Sequence, residues 1–335
     1  MRKVFFIGFL VFSSLLWAQT TQSNAAAAND SLPITIKDYF GPQTFTKPIN
    51  RVIYLGSYAE VPAMLGIWDK VVGMADYGFK SDIVKATATN LSQIQKLSDD
   101  HYAALNIEAL KKLSPDLIIT YVGNPQSIEF AKKFGIKFLS FQDRSVRGVI
   151  KDISLQAQVF QKQAQAAPKI AKMEEILTLI ADRTKHISSK KRVIEIFHKP
   201  NQVSGKESLD SDIMALADVD NLGLKLVDHG RSEVSLERII SANPEIIFIW
   251  WLSPYTPKDL LENPQFSTIT AIKNRQVYKL PPIDIGGPRT PLISLFIATK
   301  AYPEAFKDID INGVLLNYYQ SIFGLTKAQI QPFLW

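Results

Sequence analysis

From Arg51 onward, short apolar runs alternate with stretches in which apolar residues recur every three or four positions. RVIYLG, KVVGMAD, DLIITY and KFLSFQ read as buried strands. Between them, residues 58–65, residues 106–113 and SIEFAKKFG, closed by Gly135, read as helices. Strands alternating with helices predict a largely parallel sheet with helices on both faces. Upstream, order is expected to begin near Pro33, with ITIKDYF alternating as an edge strand does. Residues 146–188 contain no strand pattern. There Ile170, Met173, Ile176, Leu177 and Ile180 recur at helical spacing, which predicts a long helix from about Pro168 to Ile187, with proline in its first turn and a shorter helix ahead of it. Then the alternation resumes, with RVIEIF, EIIFIW and QVYKLP as strands. SLDSDIMALA, VSLERIISA, residues 290–302 and residues 312–323 read as helices.

The expected architecture is α/β: two Rossmann-like lobes, residues 33–145 and 189–335, joined through residues 146–188 by a single long backbone helix. Such a strut predicts limited hinge motion. A repeat relates the lobes. NIEALKKLSPDLII begins at Asn106 and SLERIISANPEIIF at Ser235. In both, a glutamate precedes a proline by seven residues, and an acidic residue and an Ile-rich strand follow. Asn106 and Ser235 suit N-caps, Glu108 and Glu237 the first helical turn, and Pro115 and Pro244 the helix stop.

The chain begins Met-Arg-Lys and is then apolar from Val4 to Trp17. A basic start and an apolar stretch of about 14 residues match a signal peptide and fall short of a bilayer span. Residues 1–18 are therefore expected to be removed near Ala18, and residues 19–32, polar and Ala-rich, to form a disordered tether. There are no cysteines, which excludes disulfides, thiolate metal sites, a Cys nucleophile and an N-terminal lipid anchor. An exported chain without a lipid anchor points to the periplasm. The net charge of +6 is spread along the sequence and forms no nucleic-acid stripe. Enzyme signatures are missing: there is no nucleophile elbow, phosphate loop or dinucleotide fingerprint.

RVIYLGSYAEVPAMLG, NIEALKKLSPDLIIT, VSGKESLDSDIMALADVDN, VSLERIISANPEIIF and QVYKLP, in this order, resemble the helical-backbone (class III) periplasmic binding proteins for iron–siderophores, haem and vitamin B12, and most of all the enterochelin-type proteins of epsilonproteobacteria. The resemblance covers about residues 33–325. It implies a monomeric binding protein, not an enzyme, that holds a metal chelate in a cleft between its lobes and delivers it to the permease of an ABC importer. It also implies that a glutamate on each lobe, here Glu108 and Glu237, docks onto permease arginines.

In open α/β folds, ligands bind beyond the carboxyl ends of the strands. The loops there supply Tyr58, Tyr77, Tyr121, Arg144, His198, Arg231, Trp250, Trp251 and Arg289 as candidate ligand-binding residues. Aromatic faces suit planar chelates, and arginine suits their negative charge. The segment SGKES at 204–208 is expected to be a cleft-lining turn. An imidazole can fill a coordination position that a chelator leaves open, and His101 is the first candidate. Tyr-Val-Gly-Asn after DLIIT brings no basic residue to clamp a catecholate. The expected ligand is an iron(III)–siderophore first, a nickel or cobalt chelate second, and haem or B12 third. A periplasmic metal-complex sensor or carrier is the alternative role.

Overall fold

The computed structural model describes residues 32–98 and 104–335. The expected signal peptide, all of the expected tether except Leu32, and His101 lie outside these residues.

β1 (Ile34–Asp38) and β2 (Gly41–Phe45) pair antiparallel as a hairpin of their own. ITIKD alternates as expected, but it does not extend a main sheet. The first main sheet holds β3 (Val52–Leu55), β4 (Val71–Ala75), β5 (Gln95–Leu97), β6 (Leu117–Tyr121) and β7 (Phe138–Phe141), in the order β5-β4-β3-β6-β7. All its pairings are parallel. Its connections carry α1 (Val61–Leu65), α2 (Asp82–Thr87), α3 (Ile107–Lys112) and α4 (Pro125–Lys132). Then α5 (Val146–Val159) and α6 (Gln163–Thr184) lead to the second lobe.

That lobe holds β8 (Arg192–Ile196), β9 (Gln202–Ser204), β10 (Asp220–Asn221), β11 (Arg231–Glu233), β12 (Ile246–Ile249) and β13 (Val277–Lys279). The order is β11-β9-β8-β12-β13, with β10 beside β8. β8, β10, β12 and β13 run parallel, while β9 and β11 form an antiparallel edge. The sequence pattern misses β9 and β11 because QVS and RSE are short and largely polar, with no apolar run to mark them. The helices of this lobe are α7 (Leu209–Leu216), α8 (Gly223–Leu226), α9 (Leu236–Ala242), α10 (Pro257–Leu261), α11 (Thr270–Lys273), α12 (Thr290–Ala301) and α13 (Ile311–Phe323).

Burial explains why the strands read as continuous apolar runs. On β3, Val52 and Tyr54 face one core while Ile53 and Leu55 face another. On β12, Ile246 and Phe248 are split in the same way from Ile247 and Ile249. A parallel sheet covered on both faces leaves no solvated side to read as polar.

The long helix departs from expectation at its start. α6 begins at Gln163, so Pro168 lies inside it and not in its first turn. Proline removes one N–H and crowds the carbonyl of Ala164. Ala164, Ala166 and Ala167 are strong helix formers, and buried Ala166 anchors the added turn in the core. At 22 residues the helix is about 33 Å long. Met173, Ile176, Leu177 and Ile180 enter a core that also contains Val52 and Tyr54 of the first sheet, Phe248 of the second, and Leu292 and Ile293 of α12. One apolar core therefore runs through both lobes and the helix between them, and relative motion of the lobes would expose it.

Candidate functional site

Strand order places the site. In the first sheet the chain turns outward in opposite directions from β3 and β6, and the loops after these two neighbours diverge. Such a switch point opens a crevice at the carboxyl ends of the strands. The loops after β3 and β6 bring Gly56, Ser57, Tyr58 and Tyr121 to a cavity of about 730 Å³. In the second sheet the loops after the neighbours β8 and β12 bring His198 and Trp250 to the same cavity. The turn before α7, within SGKES as expected, adds Glu207 and Ser208.

Loop packing fixes the walls. Tyr58 adopts a left-handed backbone, φ 79°, and its buried hydroxyl donates to Asp152 Oδ2 at 2.9 Å. Tyr77 reaches across the cleft, where its hydroxyl lies 3.4 Å from Asp284 Oδ1 and its ring centroid 5.9 Å from that of Trp251. Gly286 lets the lobes meet, because a Cβ there would lie 2.3 Å from Cβ of Ser57. His198 stands edge-on to Trp250, with centroids 4.8 Å apart. The indole Nε1 of Trp250 is buried and has no acceptor among the described residues.

The charged groups come in pairs. Arg231 donates to Asp210 through Nε at 3.1 Å and through Nη2 at 2.9 and 3.0 Å, and its guanidinium lies 3.9 Å from the Phe197 ring centroid. Burial opposes its charge, but Asp210 outweighs burial and holds the guanidinium protonated. Arg144 Nη1 donates to the Glu207 carbonyl at 2.9 Å and to Oε2 at 3.2 Å. His229 Nδ1 lies 3.6 Å from the same carboxylate.

The sequence pattern of the family described as "Periplasmic binding protein" matches residues 52–283. The chain belongs to this periplasmic binding protein family. Helicobacter pylori CeuE, solved in a Ni-His complex, is 56% identical and superimposes with a TM-score of 0.87, over 91% of this chain and 100% of that one. The molybdate-binding protein MolA of Haemophilus influenzae is 22% identical over 87% of this chain and 88% of its own. The Fe(3+)-citrate-binding protein YfmC of Bacillus subtilis is 25% identical over 72% of this chain and 76% of its own. This periplasmic binding protein is accordingly a substrate-binding protein and not an enzyme.

Seven sequence candidates line its cavity: Tyr58, Tyr77, Tyr121, Arg144, His198, Arg231 and Trp250. Trp251 does not line it, but is half-buried behind Tyr77. Arg289 is a correction. It is 1% exposed, away from the cavity, with its guanidinium engaged by Glu60 and Asp82. A loop position at a strand end suggested a ligand contact, yet the fork that suits an anionic ligand is filled by carboxylates of the other lobe. Asp210, which also lines the cavity, was passed over. Asp210 occupies the first turn of α7, where an acidic residue reads simply as favourable to the helix dipole. Glu108 and Glu237 are exposed in the first turns of α3 and α9, behind N-caps Asn106 and Ser235 whose side chains accept from Ala109 N and Arg238 N.

Two buried carboxyls beside the cavity set a pH dependence. Burial first, and Asp143 further, push Asp152 up to about 8. Burial and then the Glu60 charge push Asp284 up to about 7. In the unfolded chain both lose their protons near 4. Between pH 4 and 8 the folded state thus binds more protons, so stability is full at acid pH and falls as pH rises. Asp152→Asn, which keeps an acceptor for Tyr58, is expected to flatten this fall. At pH 9 its stability should exceed that of the native chain by up to several kcal/mol. Calorimetric melting from pH 5 to 9 measures this, and parallel curves for the two proteins would refute it.

Proposed function

We propose that the chain captures a preformed metal chelate between its lobes in the periplasm and delivers it to the inner-membrane permease of an ABC importer. The observation that carries this reading is the cavity of about 730 Å³, lined from the strand ends of both lobes by Tyr58, Tyr77, Tyr121 and Trp250, with His198 and His229 at its wall. Rings supply contact area to a chelate, and an imidazole can complete a metal's coordination. Among the described residues, no group of three His, Asp or Glu side chains comes together as a cage for a bare ion. His101, the first sequence candidate for a direct ligand, keeps that role as a proposal. A second concavity, about 680 Å³, lies between Pro33, Ile34 and helices α5 and α6, and no charged side chain lines it.

Delivery rests on Glu108 and Glu237 as the docking pair. On this reading residues 1–18 are removed near Ala18 on export, and the chain acts as a monomer in the periplasm. Among the described residues, no helix is long and apolar enough to cross a membrane. Of the ligand classes left open by the sequence, a nickel or cobalt chelate gains support from the Ni-His complex of the 56% identical relative.

Trp250 supplies the test. Titration with nickel–histidine, iron(III)–citrate or an iron(III)–catecholate is expected to quench indole emission saturably for at least one of them. Protein recovered from its own periplasm should carry about one metal atom per chain at most. Protein that carries no metal and responds to none of the three probes would remove the reading.

A further inference from the structure

The arginines of the cavity are paired before any ligand arrives. Arg231 presents its fork to Asp210 in bidentate geometry, and the Asp210 carboxylate is 6% exposed. Ser204 Oγ, 3.4 Å away, adds a donor to the same carboxylate. The face of Arg231 is covered by Phe197 at 3.9 Å and Trp250 at 5.1 Å. Arg144 is held by both the carbonyl and the carboxylate of Glu207. A third carboxylate, Asp143, lines the cavity, and its nearest cation is the exposed Lys151 at 3.9 Å. Two guanidinium groups thus meet three carboxylates among the described lining residues.

Resting on the chelate-binding reading above, we propose that Asp210 and Glu207 set the charge selectivity of this cleft, neutralising Arg231 and Arg144 so that it takes metal chelates of zero or positive net charge and turns away polyanionic ones. The fitting class is a divalent metal held by zwitterionic or neutral nitrogen-and-oxygen donors. The electron-rich ring faces of Tyr77, Tyr121 and Trp250 favour such a complex. A polyanionic complex must either lie against three carboxylates or pull Arg231 from Asp210. Breaking a desolvated pair of that kind lowers affinity by about 100-fold or more. Asp210 acts through Arg231, as a positioning residue.

The test is a fluorescence titration of the full chain at fixed ionic strength with two probes. One is nickel with two histidines, net neutral; the other is iron(III) in a hexadentate tricatecholate, triply negative. The native chain is expected to prefer the neutral complex by at least about tenfold, and Glu207→Gln and Asp210→Asn each to raise affinity for the triply negative complex by about tenfold. The preference for the neutral complex should therefore narrow by about tenfold in each variant, a change of ratio that a merely structural defect, which weakens both probes alike, would not produce. Glu207 has an exposed side chain, so Glu207→Gln decides the matter even if Asp210→Asn fails to fold. Equal binding of both probes by the native chain, or an unchanged ratio in Glu207→Gln, overturns the inference and leaves chelate binding intact. Failure of the native chain to bind either probe overturns the inference, and the chelate-binding reading falls with it only if iron(III)–citrate also fails to bind and protein from the periplasm carries no metal.

Discussion

Arg289→Met is expected to cost about 3–5 kcal/mol of folding stability and to lower the melting temperature by roughly 10 °C. Arg289 donates through Nε to Glu60 Oε2 at 2.9 Å and through Nη2 to Glu60 Oε1 at 2.5 Å and Asp82 Oδ1 at 2.6 Å. Nη1 reaches the Tyr319 hydroxyl at 3.2 Å, and Nη2 also reaches the Pro282 carbonyl at 3.1 Å. Glu60, on the other lobe, is fully buried and takes a further bond from Ser81 Oγ at 2.8 Å. Methionine fills similar space without a charge, so the loss would come mainly from the Glu60 carboxylate left behind in a dry site. Removing that residual charge should recover part of it, and Glu60→Gln with Arg289→Met is expected to melt above Arg289→Met alone. Thermal unfolding of the three proteins measures both effects. A single variant that melts with the native chain would show the triad to be dispensable. The triad also ties Glu60, at the start of α1, to the loop before α12, so its loss should loosen the cleft and weaken chelate binding.

This triad marks where sequence legibility ends. The alternation of strands and helices was readable because the central strands of both sheets are covered on both faces, and each of those shows as an apolar block. Helices α3 and α9 were readable because Asn106 and Ser235 cap them in the same register. Most of the cavity's aromatic wall followed from one rule, that ligands bind beyond the carboxyl ends of the strands. Arg289 obeyed the same rule and was misplaced, because its partners Glu60 and Asp82 lie more than two hundred positions away and nothing local announces a pair across lobes. Asp210 was missed for a related reason. Its position at a helix start has a sufficient local explanation, and its bidentate hold on Arg231 appears only when β11 is laid beside β9. Apolar periodicity is a local property, whereas the pairing of buried charges is a property of the assembled fold.

The same contrast bears on delivery. Glu108→Ala combined with Glu237→Ala is expected to reduce uptake of the chelate by on the order of 100-fold while leaving its affinity for the isolated protein unchanged. Each glutamate is exposed on its own lobe, in the first turn of a capped helix, and none of the cavity-lining side chains belongs to these helices. Backbone and Ser235 hydrogen bonds at the helix start hold the Glu237 carboxyl below its usual range, so it presents a full negative charge at neutral pH. The shared core and the buried triad keep the two lobes from moving independently, which makes the two carboxylates a fixed pair. A fixed pair suits a bivalent contact, because once one carboxylate docks the other is already placed, and losing both forfeits that advantage. Single variants should therefore fall between the native chain and the double variant. Radiolabelled metal uptake in cells carrying each variant, with fluorescence titration of the purified proteins, separates docking from capture. Full uptake by the double variant would turn the reading toward a sensor or carrier that uses the same cleft without a permease.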